Sequence, residues 1–479
     1  MKKIKLVVFG FVIFGCAHRE TLPPAPLLPL PSTAQLQWHR METNAFVHFT
    51  TNTFTDKEWG YGDEDPKIFN PTEFNPRQWV AALKDAGFKG LILTCKHHDG
   101  FCLWPSQYTK HSVKSSTWQN GTGDVVREVA NACAQGGLKF GIYVSPWDRN
   151  HADYGSPAYV SYYRNQLKEL FTSYSPLFEM WFDGANGGDG YYGGRREQRK
   201  IDGRTYYGWP ATLDSVRKMN PDVIFFSDAG PGVRWVGNEN GIAGDTNWNC
   251  ITADSLYAGI AGIEKLLNQG NEEGAQWIPA ECDVSIRPGW FYHAKEDSLV
   301  KTPQQLFEIY LKSVGRGSLL LLNVPPDRRG LFHENDVKSL HEFKELLDRE
   351  FKTNLALHAE VQGSFRGKDN LFAPANLTDG DPETYWTLDD EYTSGVFEID
   401  LKEAAKVKYI VLQEFIQLGQ RVKSFSVEVW TDDRWKKVDQ ATTIGYKRIL
   451  KLEPVMTDKI RVNILEARAC PVLANVEVY

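Results

Sequence analysis

The sequence lacks the signs of several common classes of protein. Its 54 basic and 61 acidic side chains leave a net charge of −7, so there is no basic excess of the kind that binds nucleic acid. It has no collagen or heptad repeat, and its 42% hydrophobic and 24% charged residues are typical of a folded globular protein. A length of 479 residues, at about 150 residues a domain, predicts roughly three domains, or two if one is a large barrel.

Cysteine is sparse and unpatterned. Apart from Cys16, the cysteines are scattered without the close pairs that bind zinc, so no metal framework is expected. A chain of this length can stabilise itself by burying a core. We therefore expect buried free thiols at Cys95, Cys102, Cys133, Cys250, Cys282 and Cys470.

Aromatic residues, in contrast, are abundant. They make up 13% of the chain, and it has 15 Trp, most of them before residue 300. Aromatic rings concentrated in one region suit a large core or a cleft that stacks against the apolar face of a sugar.

The N-terminus resembles an export signal. Lys2, Lys3 and Lys5 precede an apolar run, Leu6–Phe14, which is too short to span a membrane. Ile13-Phe-Gly-Cys16 resembles the bacterial lipobox, whose cysteine is lipidated; plain secretion and a chance pattern are the alternatives.

We therefore interpret residues 1–16 as a lipoprotein-type signal peptide and residues 17–32, with five prolines, as an extended tether. The expected location is the bacterial cell envelope, in the periplasm or on the outer membrane. The expected membrane contact is only a lipid anchor at Cys16.

Residues 33–350 alternate short β-rich runs with helix-like stretches, which favours a parallel sheet covered by helices. We predict an α/β fold, a (β/α)₈-like barrel with irregular late repeats. A doubly wound open sheet is the alternative, but no G-x-G-x-x-G follows the first strand. The predicted strand runs are Phe46–Phe49, Gly90–Thr94, Lys139–Val144, Phe178–Phe182, Val223–Phe226 and Ser318–Asn323.

Residues 351–479 have a different texture. Short alternating runs separated by turn residues predict an all-β sandwich domain. Within the barrel region, Gly184–Gly203 holds seven glycines together with Arg195, Arg196 and Arg199, and we expect a mobile surface loop there.

Polar and aromatic side chains lie at or just after the carboxyl ends of the predicted barrel strands, where active sites of such barrels form. They are His48, His97, His98, Tyr143, Trp181 and Asp183. Imidazoles, indoles and carboxylates favour hydrogen bonding to a polyol. A metal site at His97-His98 is the alternative, and it requires the strand to break there, because adjacent strand residues point to opposite faces.

Asp183 is the strongest single candidate for catalysis. It ends a largely apolar run, so the hypothesis is a nucleophile or a stabiliser of an oxocarbenium-like transition state; a helix N-cap is the structural alternative. Such chemistry needs a second, protonated carboxyl group. Glu239 and Glu281 compete for that role, and the residues alone do not decide between them.

Four motifs together are similar to the α-L-fucosidases of glycoside hydrolase family 29: His48-Phe49, Lys96-His-His-Asp-Gly-Phe101, Tyr143-Val-Ser-Pro-Trp147 and Trp181-Phe-Asp-Gly184. The resemblance implies that Asp183 is the nucleophile of a retaining double displacement. It also implies that Glu239, in Arg234-Trp-Val-Gly-Asn-Glu239, is the acid/base, with Glu281 as the alternative. It implies sugar-binding roles for His48, Trp59, His97, His98 and Trp104, and no cofactor.

The stretch Glu281–His293 resembles the subfamily that acts on α-1,3/1,4-linked fucose, so a fucosylated oligosaccharide or glycoconjugate is the expected substrate. Fucose carries a methyl group, and an apolar wall is expected from Phe46, Phe49, Trp181 or Trp290. We count Tyr143, Trp181, Glu281 and Trp290 as further substrate-binding candidates.

The C-terminal domain resembles the discoidin-like modules (coagulation factor type C), on the run Pro374–Trp386. The resemblance implies a structural Ca²⁺ near that run. Glycan binding and a purely structural role both stay open for this domain.

Two alternatives to a fucosidase also stay open. The first is a catalytically silent glycan-binding protein on the same scaffold. The second is a glycosidase for another deoxy or galacto-configured sugar.

Overall fold

The computed structural model describes residues 21–479. The predicted signal peptide and Cys16 lie outside the described residues. Within them, no helix combines the length and the apolar character needed to cross a membrane.

The N-terminal domain is a closed barrel of eight parallel strands arranged in chain order, which confirms the predicted fold. The first strand closes the barrel by pairing with the last, Phe46 opposite Asn323. The strands are β1 (Thr43–Val47), β2 (Gly90–Lys96), β3 (Lys139–Val144), β4 (Glu179–Trp181), β5 (Ile224–Ser227), β6 (Val233–Trp235), β7 (Ala280–Ser285) and β8 (Leu319–Asn323).

Helices surround the barrel, and their ends follow the expected capping chemistry. Asp124 caps the helix Val125–Gly136 by accepting the Arg127 N–H, and Gly137 ends that helix in the left-handed conformation. The link of residues 228–232 between β5 and β6 is too short for a helix, so the late repeats are irregular, as predicted. The helices are α1 (Thr33–His39), α2 (Thr51–Thr55), α3 (Pro76–Asp85), α4 (Val125–Gly136), α5 (Pro157–Ser173), α6 (Trp209–Arg217), α7 (Glu264–Gln269), α8 (Pro303–Lys312) and α9 (Glu334–Glu350).

The C-terminal domain is antiparallel, with a core of its own around Trp386 and Phe397. Two strands of 20 residues each, Gly395–Glu414 and Arg448–Ala467, pair along most of their length. The strands are β9 (Glu360–Gly363), β10 (Trp386–Thr387), β11 (Gly395–Glu414), β12 (Val422–Thr431), β13 (Arg434–Thr442), β14 (Arg448–Ala467) and β15 (Val472–Val478).

The run that suggested Ca²⁺ lies ahead of β10. The Asp379 carboxylate accepts the Asp381 N–H at 2.8 Å and the Thr384 hydroxyl at 2.8 Å. Calcium binding there stays a prediction.

The two domains pack against each other through aromatic and polar contacts. The Phe351 ring, just after α9, lies 5.1 Å from the Tyr409 ring of the C-terminal domain. The carboxamide of Gln420 reaches the barrel segment Asn247–Asn249.

The proline-rich stretch differs from a free tether over its described part, residues 21–32. The Leu27 N–H donates to the Leu418 carbonyl at 3.0 Å, and the Arg421 guanidinium donates to the Ala25 carbonyl at 2.6 Å. Pro24 is buried. We call residues 21–32 the N-terminal segment; it runs along the C-terminal domain before α1 begins under the barrel.

The glycine- and arginine-rich insertion, which its composition predicts to be a mobile surface loop, is hydrogen-bonded to the barrel loops. It contains a hairpin, Gly188–Gly190 paired with Glu197–Arg199. The Arg199 guanidinium donates to the Tyr154 carbonyl at 2.6 Å, and the Trp147 indole donates to the Tyr192 hydroxyl at 2.9 Å. The six described cysteines are free and buried, as expected.

Candidate active site

A pocket of about 250 Å³ opens at the carboxyl ends of the barrel strands. It is slightly smaller than the roughly 300–1,000 Å³ of pockets for drug-sized ligands, so its size suits one sugar ring. The lining residues are Phe46, His48, Trp59, His97, His98, Tyr143, Trp181, Asp183, Gly184, Ala185, Asp228, Trp235, Glu239, Asp283 and Trp290.

Asp183 lies at the end of β4, where its carboxylate faces the pocket. Oδ2 accepts the Tyr143 hydroxyl at 2.9 Å, and Oδ1 accepts the Ala185 N–H at 2.7 Å. These bonds fix the carboxylate, and burial together with Asp183 raises the pKa of Tyr143 far above its usual range. The side chain stays 24% exposed, so a ligand can reach it.

The residue after Asp183 is a glycine packed against Asp228. A Cβ on Gly184 would lie 2.1 Å from Oδ2 of Asp228. The close approach explains the Asp183-Gly184 pair and brings a further carboxyl group beside the site.

His48 presents an acceptor nitrogen to the pocket. Its Nδ1 lies 2.9 Å from Oδ1 of Asn323, whose amide group donates to Ser285 and to the Trp290 carbonyl. Because Oδ1 can only accept, we assign the proton to Nδ1, which leaves Nε2 as an acceptor. Burial lowers the pKa of His48 to about 4, so the ring is neutral.

His97 and His98 both line the pocket because β2 ends at Lys96. The Ser145 hydroxyl donates its proton to the Trp147 carbonyl, so it accepts a hydrogen bond from Nδ1 of His98 at 2.7 Å. Because Nδ1 of His98 carries the proton, Nε2 is an acceptor, 3.8 Å from Asp183. Burial lowers the pKa of both histidines.

Trp181 forms an aromatic wall. Its ring stacks on Phe226 with centroids 3.8 Å apart and lies 5.0 Å from Phe46. Phe49, also proposed for this wall, instead packs among Phe69, Phe74 and Trp79 in the outer core. We call His48, His97, His98, Tyr143 and Asp183 the pocket floor.

The mouth of the pocket is formed by Trp59, Glu239 and Trp290, which we call the pocket rim. The Trp290 indole donates to Oε2 of Glu239 at 3.2 Å. Burial of the Glu239 carboxyl raises its pKa; the Trp290 hydrogen bond opposes this, and the negative charges of Asp183 and Glu58 add to it. A carboxyl group with a raised pKa at the mouth of a pocket suits a general acid.

A polar latch joins the loops that carry Trp59 and Trp290. The Glu58 carboxylate accepts the N–H groups of Trp290 at 2.8 Å and Phe291 at 3.1 Å. His293 lies between Asp56 and Glu58, at 2.7 Å from each. The latch holds two rim tryptophans that are far apart in sequence.

Glu281 lies outside the pocket, which corrects its placement as a substrate-binding residue and removes it as a competitor for the acid/base position. It is fully buried on β7, where Oε1 accepts the Trp181 indole N–H at 2.9 Å. Burial raises its pKa above the usual range of a glutamate. Glu281 therefore supports the aromatic wall from below.

Trp104 also lies outside the pocket. Its indole donates to Glu169 on α5 at 2.9 Å, and its ring belongs to the outer core. Proximity in sequence to the histidine motif suggested a sugar contact, but β2 has ended and the chain has turned away before residue 104.

Asp228, Trp235 and Asp283 also line the pocket. Asp228 follows a predicted strand, but none of the three was counted among the predicted site residues. The Trp235 indole donates to Oδ1 of Asp283 at 2.9 Å. Burial raises the pKa of Asp228 to about 6 and that of Asp283 well above its usual range. The period-two alternation of a strand could have identified Asp283, because it shares a face with Glu281 one step closer to the pocket.

The site thus combines acceptors for hydroxyl groups, an aromatic wall, a fixed carboxylate and a second carboxyl group with a raised pKa. In the part of the chain that the structure describes, no group of three or more His, Cys, Asp or Glu side chains is placed to hold a metal ion. This arrangement fits chemistry on a neutral sugar that has one apolar patch.

Comparison with known families gives two matches. A family model described as "Alpha-L-fucosidase" matches residues 30–350, and one described as "F5/8 type C domain" matches residues 359–476. Together they cover the barrel and the C-terminal domain.

Individual relatives agree with the family match. Alpha-L-fucosidase 1 of Arabidopsis thaliana is 42% identical over 95% of this chain and 88% of its own length. A glycoside hydrolase 29 family member from an unknown rumen bacterium is 43% identical, with a TM-score of 0.85 over 95% of this chain and 78% of its own. A Ruminococcus gnavus GH29 fucosidase in complex with fucose is 32% identical, with a TM-score of 0.84 over 96% of this chain and 97% of its own.

Proposed function

The chain belongs to the α-L-fucosidases of glycoside hydrolase family 29, and on that premise we propose that it removes terminal α-1,3- or α-1,4-linked fucose from glycans with retention of configuration. Family membership makes it a fucose-releasing glycosidase, and these glycosidases need no cofactor. One observation carries the proposed retaining mechanism: a fixed carboxylate, Asp183, and a rim carboxyl, Glu239, line the same small pocket.

The reaction proceeds in two displacements. Asp183 attacks the anomeric carbon while the bond to the leaving oxygen breaks, and Glu239 gives that oxygen its proton. Water then attacks the anomeric carbon of the glycosyl-enzyme, Glu239 takes the water's proton, and the bond to Asp183 breaks. The raised pKa of Glu239 supports its role as the acid, because it keeps the carboxyl protonated at the start.

Fucose binds on the pocket floor. Its hydroxyl groups donate to the acceptor nitrogens of the neutral His48 and His98, and its methyl group packs on the aromatic wall of Phe46 and Trp181. The neutral histidines of the floor suit a neutral sugar, because no cation needs to be desolvated.

The linkage preference rests on the pocket rim. The stretch Glu281–His293, whose sequence resembles that of α-1,3/1,4-acting relatives, provides Trp290 at the mouth of the pocket and the His293 end of the latch. A sugar that branches next to the fucose lies against Trp59 and Trp290, so the enzyme reads the neighbouring sugar.

Export forms part of the proposal. The charged start, the apolar run and the lipobox-like Ile13–Cys16 support a lipoprotein that acts in the cell envelope. Metabolic labelling with a fatty-acid analogue should tag the wild type and miss Cys16→Ala; equal labelling of both would remove the anchor from the proposal.

The central test measures released fucose from a Lewis trisaccharide, 2′-fucosyllactose and an aryl fucoside. Wild type is compared with Asp183→Ala, Glu239→Ala and Glu281→Ala, and NMR of the first product distinguishes retention from inversion. We expect α-fucose from the Lewis sugar, loss of turnover in Asp183→Ala, and azide rescue of Glu239→Ala on the aryl fucoside only.

Other outcomes separate the parts of the proposal. Comparable release from 2′-fucosyllactose would overturn the linkage preference and leave the chemistry intact. Initial formation of β-fucose would overturn the retaining mechanism. Binding of fucosylated glycans without any fucose release would favour a glycan-binding protein.

A further inference from the structure

The C-terminal domain forms hydrogen bonds to the barrel segment of residues 245–249, which follows the loop that carries Glu239. Oε1 of Gln420 accepts the backbone N–H of Asn249 at 2.8 Å and the Asn249 side-chain amide at 3.1 Å. Nε2 of Gln420 donates to the Asn247 carbonyl at 3.0 Å. Gln420 is 1% exposed, so these bonds are made away from water, where losing them is costly.

Two neighbouring side chains of the same domain also form hydrogen bonds to this segment. The Asn247 N–H donates to the Thr443 hydroxyl at 3.0 Å, and the Arg448 guanidinium donates to the Asp245 carbonyl at 2.7 Å. Residues 245–249 thus have backbone groups paired with the C-terminal domain at Asp245, Asn247 and Asn249.

The barrel holds the same segment from its other side. Arg234, buried on β6, donates to the Asn247 side chain at 3.2 Å and to the Trp248 carbonyl at 2.9 Å. The loop of residues 236–244 therefore leaves β6 and ends at an anchored segment. Glu239 lies in the middle of that loop, and its carboxyl group contacts Trp290 across the rim.

We propose that Gln420 is a positioning residue: the C-terminal domain holds the end of the Glu239 loop so that the carboxyl group stands over the leaving oxygen. This inference rests on the proposed role of Glu239. Gln420 suits the task because its carboxamide accepts and donates at once, which matches an N–H and a carbonyl on the same strand of backbone. The C-terminal domain then contributes to catalysis by positioning Glu239, whether or not the domain also binds a glycan.

The test compares Gln420→Met, which keeps the length and loses the hydrogen bonds, with Lys451→Met. Lys451 also crosses the domain interface, but it pairs with Glu308 on α8 at 2.5 Å and is exposed. kcat/KM is measured on a fucosylated oligosaccharide, whose leaving oxygen needs a proton, and on an aryl fucoside whose leaving group departs without one.

Gln420→Met should lower kcat/KM on the oligosaccharide by about 10- to 100-fold and change it less than about twofold on the activated aryl fucoside. Lys451→Met should leave both values unchanged. Thr443→Val, which removes the bond to the Asn247 N–H, should show the same selective loss with a smaller size; it also serves if Gln420→Met does not fold.

Equal losses on the two substrates would overturn the inference, because a merely structural role lowers the active fraction for both. Unchanged values on both substrates would overturn it as well. Glu239→Ala is assayed in parallel. If it shows no selectivity for the unactivated substrate, the proposed role of Glu239 fails; if it does and the Gln420 and Thr443 variants do not, only the positioning role fails.

Discussion

The pocket floor and the pocket rim are built in different ways. The floor side chains stand at or just beyond the ends of β1 to β4, so the strands that carry them also place them. The rim side chains belong to loops that are tied by long-range bonds. Glu58 and Trp290 are 232 residues apart, and Gln420 and Asn249 are 171 apart.

The difference shows that the floor and the rim serve different parts of the substrate. The floor meets the sugar that every substrate shares, and its geometry follows from neighbouring strands. The rim meets the part of the substrate that varies, and its geometry depends on loops and on a second domain. Loops on a rigid scaffold are where such variation is tolerated.

The largest expected effect comes from Gly184→Ala, which disturbs the pocket floor. The added Cβ would lie 2.1 Å from Oδ2 of Asp228, so either the Asp228 carboxyl group or the backbone beside Asp183 must shift. We expect kcat/KM to fall about 100-fold or more on oligosaccharide and aryl fucoside alike. Gly203→Ala is the control, because its nearest neighbour would be the Ala258 carbonyl at 3.4 Å. A loss on only one substrate would contradict a shared floor.

Glu58→Gln should impair binding at the pocket rim and leave the pocket floor intact. The amide has one acceptor oxygen, so it cannot serve Trp290, Phe291 and His293 together. We expect KM for the branched oligosaccharide to rise about tenfold while the inhibition constant of free fucose stays unchanged. Asp214→Asn, which removes an exposed pair on α6, is the control. A matching change for free fucose would show that floor and rim are not separable.

The pH profile of Trp290→Phe tests the acid role proposed for Glu239. The Trp290 indole bond stabilises ionised Glu239 and so lowers its pKa; without that bond the pKa of Glu239 rises. Glu239 must be protonated in the first displacement, so the alkaline limb of kcat/KM on the oligosaccharide should move to higher pH. The pH profile of the variant checks this, and a shift to lower pH would contradict the assignment.

The smallest expected effect concerns the latch at alkaline pH. Burial alone lowers the pKa of His293, but the hydrogen bonds to Asp56 and Glu58 outweigh it, so the pKa is raised. The latch is therefore fully formed below about pH 6.5 and weakens as pH rises through the raised pKa. KM for the oligosaccharide should rise over that range in the wild type and stay flat in His293→Asn. A flat wild-type profile would exclude the ionic latch.

Much of the floor could be predicted from sequence because its signals are local. Apolar runs predicted six of the barrel strands, and the side chains that follow them, such as His48 and Asp183, line the pocket. β6 and β7 were missed because they break that pattern. β6 has three residues around Arg234, and β7 buries Glu281 and Asp283 inside the barrel, so neither run is apolar.

The rim was harder to predict because its causes are distant in sequence. Nothing near Glu58 indicates that its carboxylate binds the backbone at Trp290, and nothing near Gln420 indicates a role beside Asn249. Trp104 shows the opposite error: a residue close to a motif in sequence was expected in the site, but its indole is committed to Glu169.

The N-terminal segment changes how strongly the two domains are held together. It belongs covalently to the barrel through α1, yet it lies on the C-terminal domain at Leu418 and Arg421. The domains are therefore joined by two routes, this segment and the chain after α9, so a break in one contact leaves its partners at a high effective concentration for rebinding. A single proteolytic cut near Ser32 would remove the first route and leave the chain after α9 as the covalent link that keeps the C-terminal domain beside the Glu239 loop.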